Sequence, residues 1–279
     1  KQGISVGLDY LKLNDLDRSP EIFFRSVLKS IKVPVLFSVS RLEVDKKLFG
    51  SWKFNLSSTQ RQITFKDIEG NYGRWRVGKI GDKTNSRLTL NKNSKGWTTN
   101  LNTSLFSDSP NEAFDDLSLE VNFSSERIEL FPEISWKGFP QDFNIESFTG
   151  SLGFNFNELL FEDIGEEQEA TSGVLQIISI FNVTDTFEKL TNLNFDKFYK
   201  SGFSLDKAEG VLSISRNKVL ISDPIMFYSG SSKYRWTGYA KKSKKGEFTD
   251  LDLEVIMTLP LKDYLPAYAF LLGGPLTAG

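Results

Sequence analysis

What the chain lacks narrows the chemistry it can perform. Its 279 residues include no cysteine and no histidine. Without cysteine there are no disulfides and no thiolate metal sites, and this fits either a reducing or an oxidising compartment. Without histidine the usual proton shuttle at neutral pH and the commonest zinc ligand are both missing, which excludes Ser-His-Asp, Cys-His and zinc-hydrolase mechanisms. We therefore expect neither an enzyme nor a cofactor or metal site.

Charge and hydropathy exclude further classes. The 34 basic and 36 acidic residues leave a net charge of −2, so no global field attracts nucleic acid. The chain contains neither a Gly-x-Gly-x-x-Gly nor a Gly-x-x-x-x-Gly-Lys-Ser/Thr spacing, and nucleotide chemistry is therefore unsupported. No window approaches the about 18 to 20 consecutive apolar residues of a membrane-spanning helix. We expect a soluble fragment that binds no nucleic acid.

What the chain does have is period-two alternation of apolar and polar residues, the pattern of strands that are buried on one side. The clearest runs are Leu117 to Phe123, Leu152 to Phe156 and Leu251 to Leu259. Similar segments are Val35 to Val44, Gly50 to Leu56, Arg61 to Phe65, Trp75 to Lys79, Arg87 to Leu90, Trp97 to Leu105, Val211 to Ser215, Lys218 to Ile221 and Lys233 to Ala240. Turn residues separate them at Glu69 to Asn71, Asn93 to Gly96 and Lys245 to Gly246.

Only two stretches have helical periodicity. In the first, near 20–31, Ser19 can cap the helix, Pro20 suits its first position, and one apolar stripe runs from Phe23 to Ile31. In the second, near 172–191, the segment Val174 to Phe181 is apolar almost all round and is expected to be well buried, with a short helix after it. About a dozen one-sided strands therefore meet two or three short helices, which are too few to cover them.

The sheet must then cover its own apolar face or hold something against it. A sandwich would pair two such faces, a closed barrel would fill with side chains, and a curled open sheet would leave an apolar trough. The 24 phenylalanines suit all three, and a phenylalanine stripe at strand spacing is more often plain core than a ligand groove. Residue patterns alone leave these three architectures open.

Several ordered segments in the second half of the chain carry a family resemblance. They are Phe131 to Pro140, Phe148 to Phe156, the leucine-rich Gly173 to Asn182, the aromatic Phe195 to Gly210, and the glycine-rich Leu272 to Pro275. Together they resemble the carboxy-terminal region of the bacterial YhdP proteins, relatives of AsmA and TamB. The resemblance spans about 131–279, and residues 1–130 fit the preceding repeats of that family more loosely.

The resemblance implies a mainly β protein whose elongated, curled antiparallel sheet forms an open apolar groove, with two or three short helices. It implies a β-groove repeat over 1–130 and an AsmA-like carboxy-terminal region over 131–279. It also implies a periplasmic segment of a protein anchored in the inner membrane of a Gram-negative bacterium. Such proteins are thought to carry phospholipid toward the outer membrane, so the expected partners are acyl chains, the two membranes and an envelope protein.

On this interpretation the groove is lined by inward-facing side chains, and the second helix plugs or caps it. The candidate groove residues are Leu119, Val121, Phe123, Leu152, Phe154, Phe156, Leu212, Ile214, Tyr234, Trp236, Leu253, Val255 and Met257. The candidate plug residues are Val174, Leu175, Ile178 and Phe181, and an apolar tail from near Tyr264 is expected to meet the target membrane. The rival hypothesis is a closed β-sandwich scaffold that docks an envelope-assembly partner through an edge strand or its helix.

Overall fold

The computed structural model describes residues 3–13, 20–44, 46–78, 86–117, 121, 123–144, 147–161, 203–242 and 248–258. These residues form sixteen strands, two α-helices and one 3₁₀ turn at Pro140–Asp142. The helices are α1 (Pro20–Ser30) and α2 (Pro110–Asp116). The strands are β1 (Ile4–Leu8), β2 (Leu11–Leu13), β3 (Val35–Val44), β4 (Lys47–Ser58), β5 (Gln62–Tyr72), β6 (Trp75–Val77), β7 (Arg87–Asn93), β8 (Gly96–Asn102), β9 (Leu105–Ser107), β10 (Phe123–Ser124), β11 (Arg127–Lys137), β12 (Thr149–Phe161), β13 (Phe203–Ile214), β14 (Lys218–Ser229), β15 (Ser232–Lys242) and β16 (Phe248–Thr258).

All the described strands belong to one sheet, and from β3 onward the order in the sheet follows the order in the chain. Several neighbouring short strands act as one interrupted strand: β8 and β9 keep a single register against β11, and β10 and β11 keep one against β12. In the same way β6 and β7 both pair with β5. The result is a long antiparallel meander, which confirms the prediction of a mainly β, curled sheet with few helices.

One edge of the sheet departs from the antiparallel prediction. Strands β1 and β2 both pair with β3 in parallel. The chain reaches β3 from β2 through α1, and a strand that returns through a crossover helix runs in the same direction as the strand it left. The sheet is therefore mixed.

The predicted domain boundary falls inside a strand of this sheet. Strand β11 covers Arg127–Lys137 and pairs with strands on both sides, namely β8 and β9 toward the amino-terminal half and β12 toward the carboxy-terminal half. Hydrogen bonding thus passes without a break across residues 130 and 131. A division into 1–130 and 131–279 stays a prediction about sequence repeats.

The strand predicted from Leu117 to Phe123 is wrong at Leu117. Helix α2 runs to Asp116, and Leu117 is its C-cap, with a backbone N–H that donates to the carbonyl of Phe114 at 3.0 Å. The helix forms because Pro110 suits its first turn and because Ala113 and Phe114 are buried against the sheet. Among the residues that the structure describes, Phe123 is the first after α2 to pair with β12.

The turn predicted at Glu69 to Asn71 is also wrong, because those residues belong to β5. The chain reverses just after them, at Gly73, whose φ of 54° favours glycine. Within β5, Asp67 also has a positive φ, of 51°, and the register against β4 shifts between Lys53 and Asn55. This bulge keeps apolar residues on one face of a strand whose sequence loses its alternation at that point. The helix predicted near 172–191 and the apolar tail lie outside the described residues.

Candidate functional site

The main feature of the sheet is an apolar row that crosses the strands. Residues paired directly in an antiparallel ladder point to the same face, so the pairing can be followed from strand to strand. Starting at β3 and ending at β15, the row is Val35, Leu56, Phe65, Leu88, Leu101, Ile134, Gly150, Ile214, Val219 and Ala240. Every member is apolar or glycine, which means that no charged or polar side chain interrupts it.

A second row runs beside the first on the same face. Its first part, from β3 to β13, is Val39, Trp52, Gly70, Val77, Leu105, Leu130, Phe154 and Gly210. Ile225 continues it, because a Cβ added at Gly210 would lie 2.9 Å from the Cγ1 of Ile225. Pairing then leads to Trp236 and Val255 on β15 and β16. We call these two rows together the apolar face.

Burial divides the apolar face into two parts. On strands β11 to β15 it is densely packed: Trp236 and Val219 are 0% exposed and Phe154 is 7% exposed. On strands β4 to β9 its members are only partly covered. This half-buried stretch consists of Trp52, Leu56, Phe65, Val77, Leu88, Leu101 and Leu105. Apolar area that solvent still reaches is therefore concentrated in the amino-terminal half of the sheet.

Aromatic rings pack against one another on β3, β4 and β5, where the half-buried stretch begins. Phe37 lies opposite Phe54 in the ladder, and their rings stack with centroids 5.1 Å apart. Phe54 in turn meets Phe65 edge to face at 5.2 Å. Aromatic pairs in these geometries contribute about 0.5–1.5 kcal/mol each beyond the area they bury. The three phenylalanines thus form a continuous apolar surface over β3, β4 and β5.

The two helices lie against the apolar face at opposite ends of its middle strands. The ring of Phe24 on α1 stacks on Phe139 at 5.2 Å and joins a cluster with Ile63 and Trp97, near the beginning of β5. On α2, Phe114 meets Trp75 at 5.4 Å, and the indole N–H of Trp75 donates to the carbonyl of Ala113 at 2.6 Å, near the end of β5. The helices therefore cover the two margins of the face, and Leu56, Phe65 and Leu88 of the first row pack against the cluster that contains Phe24 of α1.

The structure brings most of the predicted groove residues into one cluster. Eight of them are at most 9% exposed: Phe123, Leu152, Phe154, Phe156, Leu212, Ile214, Tyr234 and Trp236. Four more are partly buried and pack against that cluster: Val121, Leu253, Val255 and Met257. Leu119 and the plug residues Val174, Leu175, Ile178 and Phe181 lie outside the described residues. Contact of any of these side chains with lipid stays a prediction.

Sequence reasoning missed the half-buried stretch on β4 to β9 as part of the site. Its strands were expected from their alternation, but the family resemblance is carried by segments after residue 131 and drew attention to that half alone. The available signal was the alternation itself, for example Phe37 and Val39 on β3 or Leu88 and Leu90 on β7. What the sequence did not show was which strands pair, and pairing is what joins these residues into rows.

Ionisable side chains lie on the opposite face of the sheet. There the ammonium of Lys207 is 2.7 Å from Glu209, and the hydroxyl of Tyr228 donates to Glu209 at 3.3 Å. Burial, with the nearby Glu209 charge as a second cause, raises the pKa of Tyr228, so this phenol stays neutral at physiological pH. Among the described residues no group of three or more His, Cys, Asp or Glu side chains is placed to hold a metal ion. The two rows of the apolar face consist of apolar residues and glycines.

The fold and this face define a class of protein: a large curled β-sheet with one apolar face that crosses the strands. Within that class, the sequence profile described as YhdP protein matches residues 1–279, and the chain belongs to the YhdP family of AsmA-like proteins of the bacterial envelope. No curated protein and no solved structure matches the chain. In the described part of the chain, no helix is both long and apolar enough to cross a membrane.

Proposed function

We propose that this chain is a non-catalytic segment of a lipid conduit, which passes phospholipid between the inner and outer membranes with the acyl chains on the apolar face. It would work in the periplasm as part of a protein anchored in the inner membrane. The observation that carries the proposal is the pair of uninterrupted apolar rows across the strands. Membership of the YhdP family supports the envelope setting.

The length of the rows favours a path over a single binding pocket. Nine steps from strand to strand separate Val35 from Ala240, and at about 4.8 Å per step the contour is about 43 Å. One acyl chain spans about 15 Å, half of the hydrocarbon core of a bilayer. The apolar face is therefore longer than a single lipid needs. It suits chains that move along successive strands.

No charged side chain opposes an acyl chain along the two rows. Each methylene that leaves water for the face gains about 0.8 kcal/mol, and no charged side chain in either row imposes a desolvation cost. The half-buried stretch offers this surface directly. The dense stretch on β11 to β15 would accept a chain only if its side chains separate, so we place the main lipid contacts of the described residues on β3 to β9.

Site-specific photocrosslinking in cells tests this placement. We would introduce p-benzoylphenylalanine at Phe37, Phe54 or Phe65. Phe65 belongs to the apolar face, Phe37 and Phe54 lie between its two rows on the same side of the sheet, and the substitution keeps an aromatic ring at each position. The matched controls are Leu36 and Ile256, which lie on the opposite face and are 37% and 46% exposed. After irradiation of cells that contain radiolabelled phospholipid, we expect a lipid-labelled adduct at Phe37, Phe54 and Phe65. We expect no labelling at the control positions Leu36 and Ile256.

The scaffold hypothesis is the second candidate, and one observation favours it. The complete burial of Trp236, Val219 and Ile128 shows that part of the apolar face is filled by its own side chains, as a structural domain requires. Against it, the described strands form one hydrogen-bonded sheet and not two sheets packed face to face. If the crosslinkers on the two faces of the sheet gave equal labelling, or if neither gave any, the lipid-conduit hypothesis would be abandoned in favour of the scaffold hypothesis.

A further inference from the structure

A polar hollow lies on the face of the sheet opposite the apolar rows. It spans β7, β8, β11 and β12, has a volume of about 280 Å³ and is open to solvent. Two ladder rows build it. One consists of Arg87, Asn102 and Glu133, and the other of Thr89, Asn100, Ser135 and Thr149. Three of the four side chains in the second row are short hydroxyls, and the first row, which we call the wall, carries longer side chains. The rest of the lining consists of Leu101, Ile134 and Gly150.

The wall of the polar hollow contains polar groups without protein partners. None of the hydrogen bonds or ion pairs among the described residues uses the side chains of Arg87, Asn102 or Glu133. Two other arginines on the sheet form ion pairs: Arg76 lies 2.6 Å from Asp108, and Arg127 lies 2.9 Å from Glu129. Donors and acceptors that converge on a concavity without satisfying one another are typical of a site for a polar ligand.

An aromatic side chain lies on the same face of the sheet, in the ladder row next to the wall of the hollow. Phe131 is two residues before Glu133 on β11, which puts it on the same face of the sheet, and it is 42% exposed. Its ring lies over Gly153 on the neighbouring strand, where an added Cβ would be 3.3 Å from the Cβ of Phe131. The glycine leaves room for the ring to lie close to the backbone. The exposed ring of Phe131 offers a stacking surface on the same face as the polar side chains of the hollow.

We propose that the polar hollow binds a saccharide. A pyranose ring presents neighbouring hydroxyls, which both donate and accept, and these match an arginine, asparagines, a carboxylate and threonine and serine hydroxyls. Its apolar C–H face matches the exposed ring of Phe131. The volume is close to the lower end, about 300 Å³, of small-molecule sites, so the hollow holds little more than one ring, and its openness lets further rings of a chain extend along the surface.

The charge of the lining argues against an anionic ligand. Among the described residues that line the hollow, Arg87 is the only cation, and Glu133 lies two strands away in the same ladder row. A phosphate or sulfate site needs several converging donors of positive charge, whereas here one charge of each sign faces the same space. The ligand that fits is uncharged and rich in hydroxyls.

Saturation-transfer difference NMR on the 279-residue chain tests the proposal, with chitotetraose, cellotetraose and maltotetraose as probes. We expect at least one of them to receive saturation from the protein, and we expect Arg87→Ala and Asn102→Ala each to weaken its binding about fivefold to tenfold, the loss of one hydrogen-bonding group. Phe131→Ala should reduce saturation of the ring C–H protons most. The matched control is Arg235→Ala, an exposed arginine on the same face of β15.

Arg87→Ala and Asn102→Ala should fold, because neither side chain takes part in a hydrogen bond or ion pair among the described residues. Unchanged circular dichroism would verify folding for these variants and for Phe131→Ala. The proposal is overturned if none of the three probes binds. It is equally overturned if a probe binds and Arg87→Ala, Asn102→Ala and Phe131→Ala leave its binding as strong as Arg235→Ala does.

Discussion

Glutamate substitutions at two adjacent positions of β16 test which face of the sheet is the functional one. Val255 lies opposite Trp236 on the apolar face and is half-buried, whereas Ile256 lies opposite Arg235 on the other face and is 46% exposed. The two residues differ by one position and by one methylene. Val255→Glu and Ile256→Glu therefore make nearly the same chemical change on the two sides of one strand.

The two variants should differ clearly in stability. Val255→Glu removes about half of the roughly 1.5–3 kcal/mol that a fully buried valine contributes, and it brings a carboxylate against the indole of a fully buried tryptophan at a cost of about 1–3 kcal/mol. The expected loss is about 2–4 kcal/mol. Ile256→Glu loses some β-propensity, up to about 1 kcal/mol, but the new carboxylate lies opposite Arg235, and such a pair returns about 0.2–1 kcal/mol.

Urea denaturation of the purified variants measures the free energy of unfolding. Mass spectrometry of lipid extracted from the same preparations measures the amount of bound phospholipid. We expect Val255→Glu to lower both the free energy of unfolding and the bound phospholipid, and Ile256→Glu to leave both near wild type. The reasoning would be refuted if the two substitutions lowered the free energy of unfolding equally, because the pairing of β15 with β16 would then be wrong. Equal lipid content in both variants would contradict the lipid-conduit hypothesis but not the pairing of β15 with β16.

Two further predictions concern the backbone of the apolar row and one ion pair. Gly150→Ala should destabilise the chain by about 1–3 kcal/mol, because φ at Gly150 is 137° and an added Cβ would lie 2.1 Å from the carbonyl oxygen of Glu133; Gly96→Ala, with φ of 117° but nothing within 4 Å, should cost less in the same thermal-unfolding assay. The hydrogen bond from Lys12, and a second from Tyr10, lower the pKa of Glu43. Its ion pair therefore stabilises the edge strands at pH values above the ordinary value of 4.5 and is lost as the pH falls below it; carbon NMR titration should show that Lys12→Ala raises the pKa of Glu43, and an unchanged midpoint would contradict the pairing.

The strand content was predictable because a one-sided strand must alternate. The run Val35 to Val44 is β3 to the residue, and Lys233 to Ala240 falls within β15. The failures have a local cause. The strand predicted from Leu117 begins at the C-cap of a helix, and Ser109 and Pro110 are typical of the start of such a helix. The turn predicted at Glu69 to Asn71 was inferred from Gly70, which is needed for close packing instead: a Cβ at Gly70 would lie 2.5 Å from the indole of Trp52.

The candidate site was predictable in part. Residues such as Phe154 and Trp236 were placed on an apolar face from their spacing, and the structure does unite them in one cluster. Their near-complete burial was not predictable, because burial depends on what the curled sheet brings against them. The partly exposed members on β4 to β9, such as Phe65 and Leu101, were missed for the complementary reason: exposure of an apolar residue leaves no mark on the sequence around it.

The sequence by itself determined the chemistry and the periodicity of this protein. The absence of histidine and cysteine removed most catalytic and metal sites, and alternation required many strands that each have one apolar side. Only the tertiary structure decided which strands are neighbours, and with that whether the apolar sides align into rows or scatter. Alternation has period two along a strand, whereas continuity across strands depends on register, and a shift of one residue would turn a whole strand over. Bulges such as that at Asp67 keep the register, and so the rows, intact.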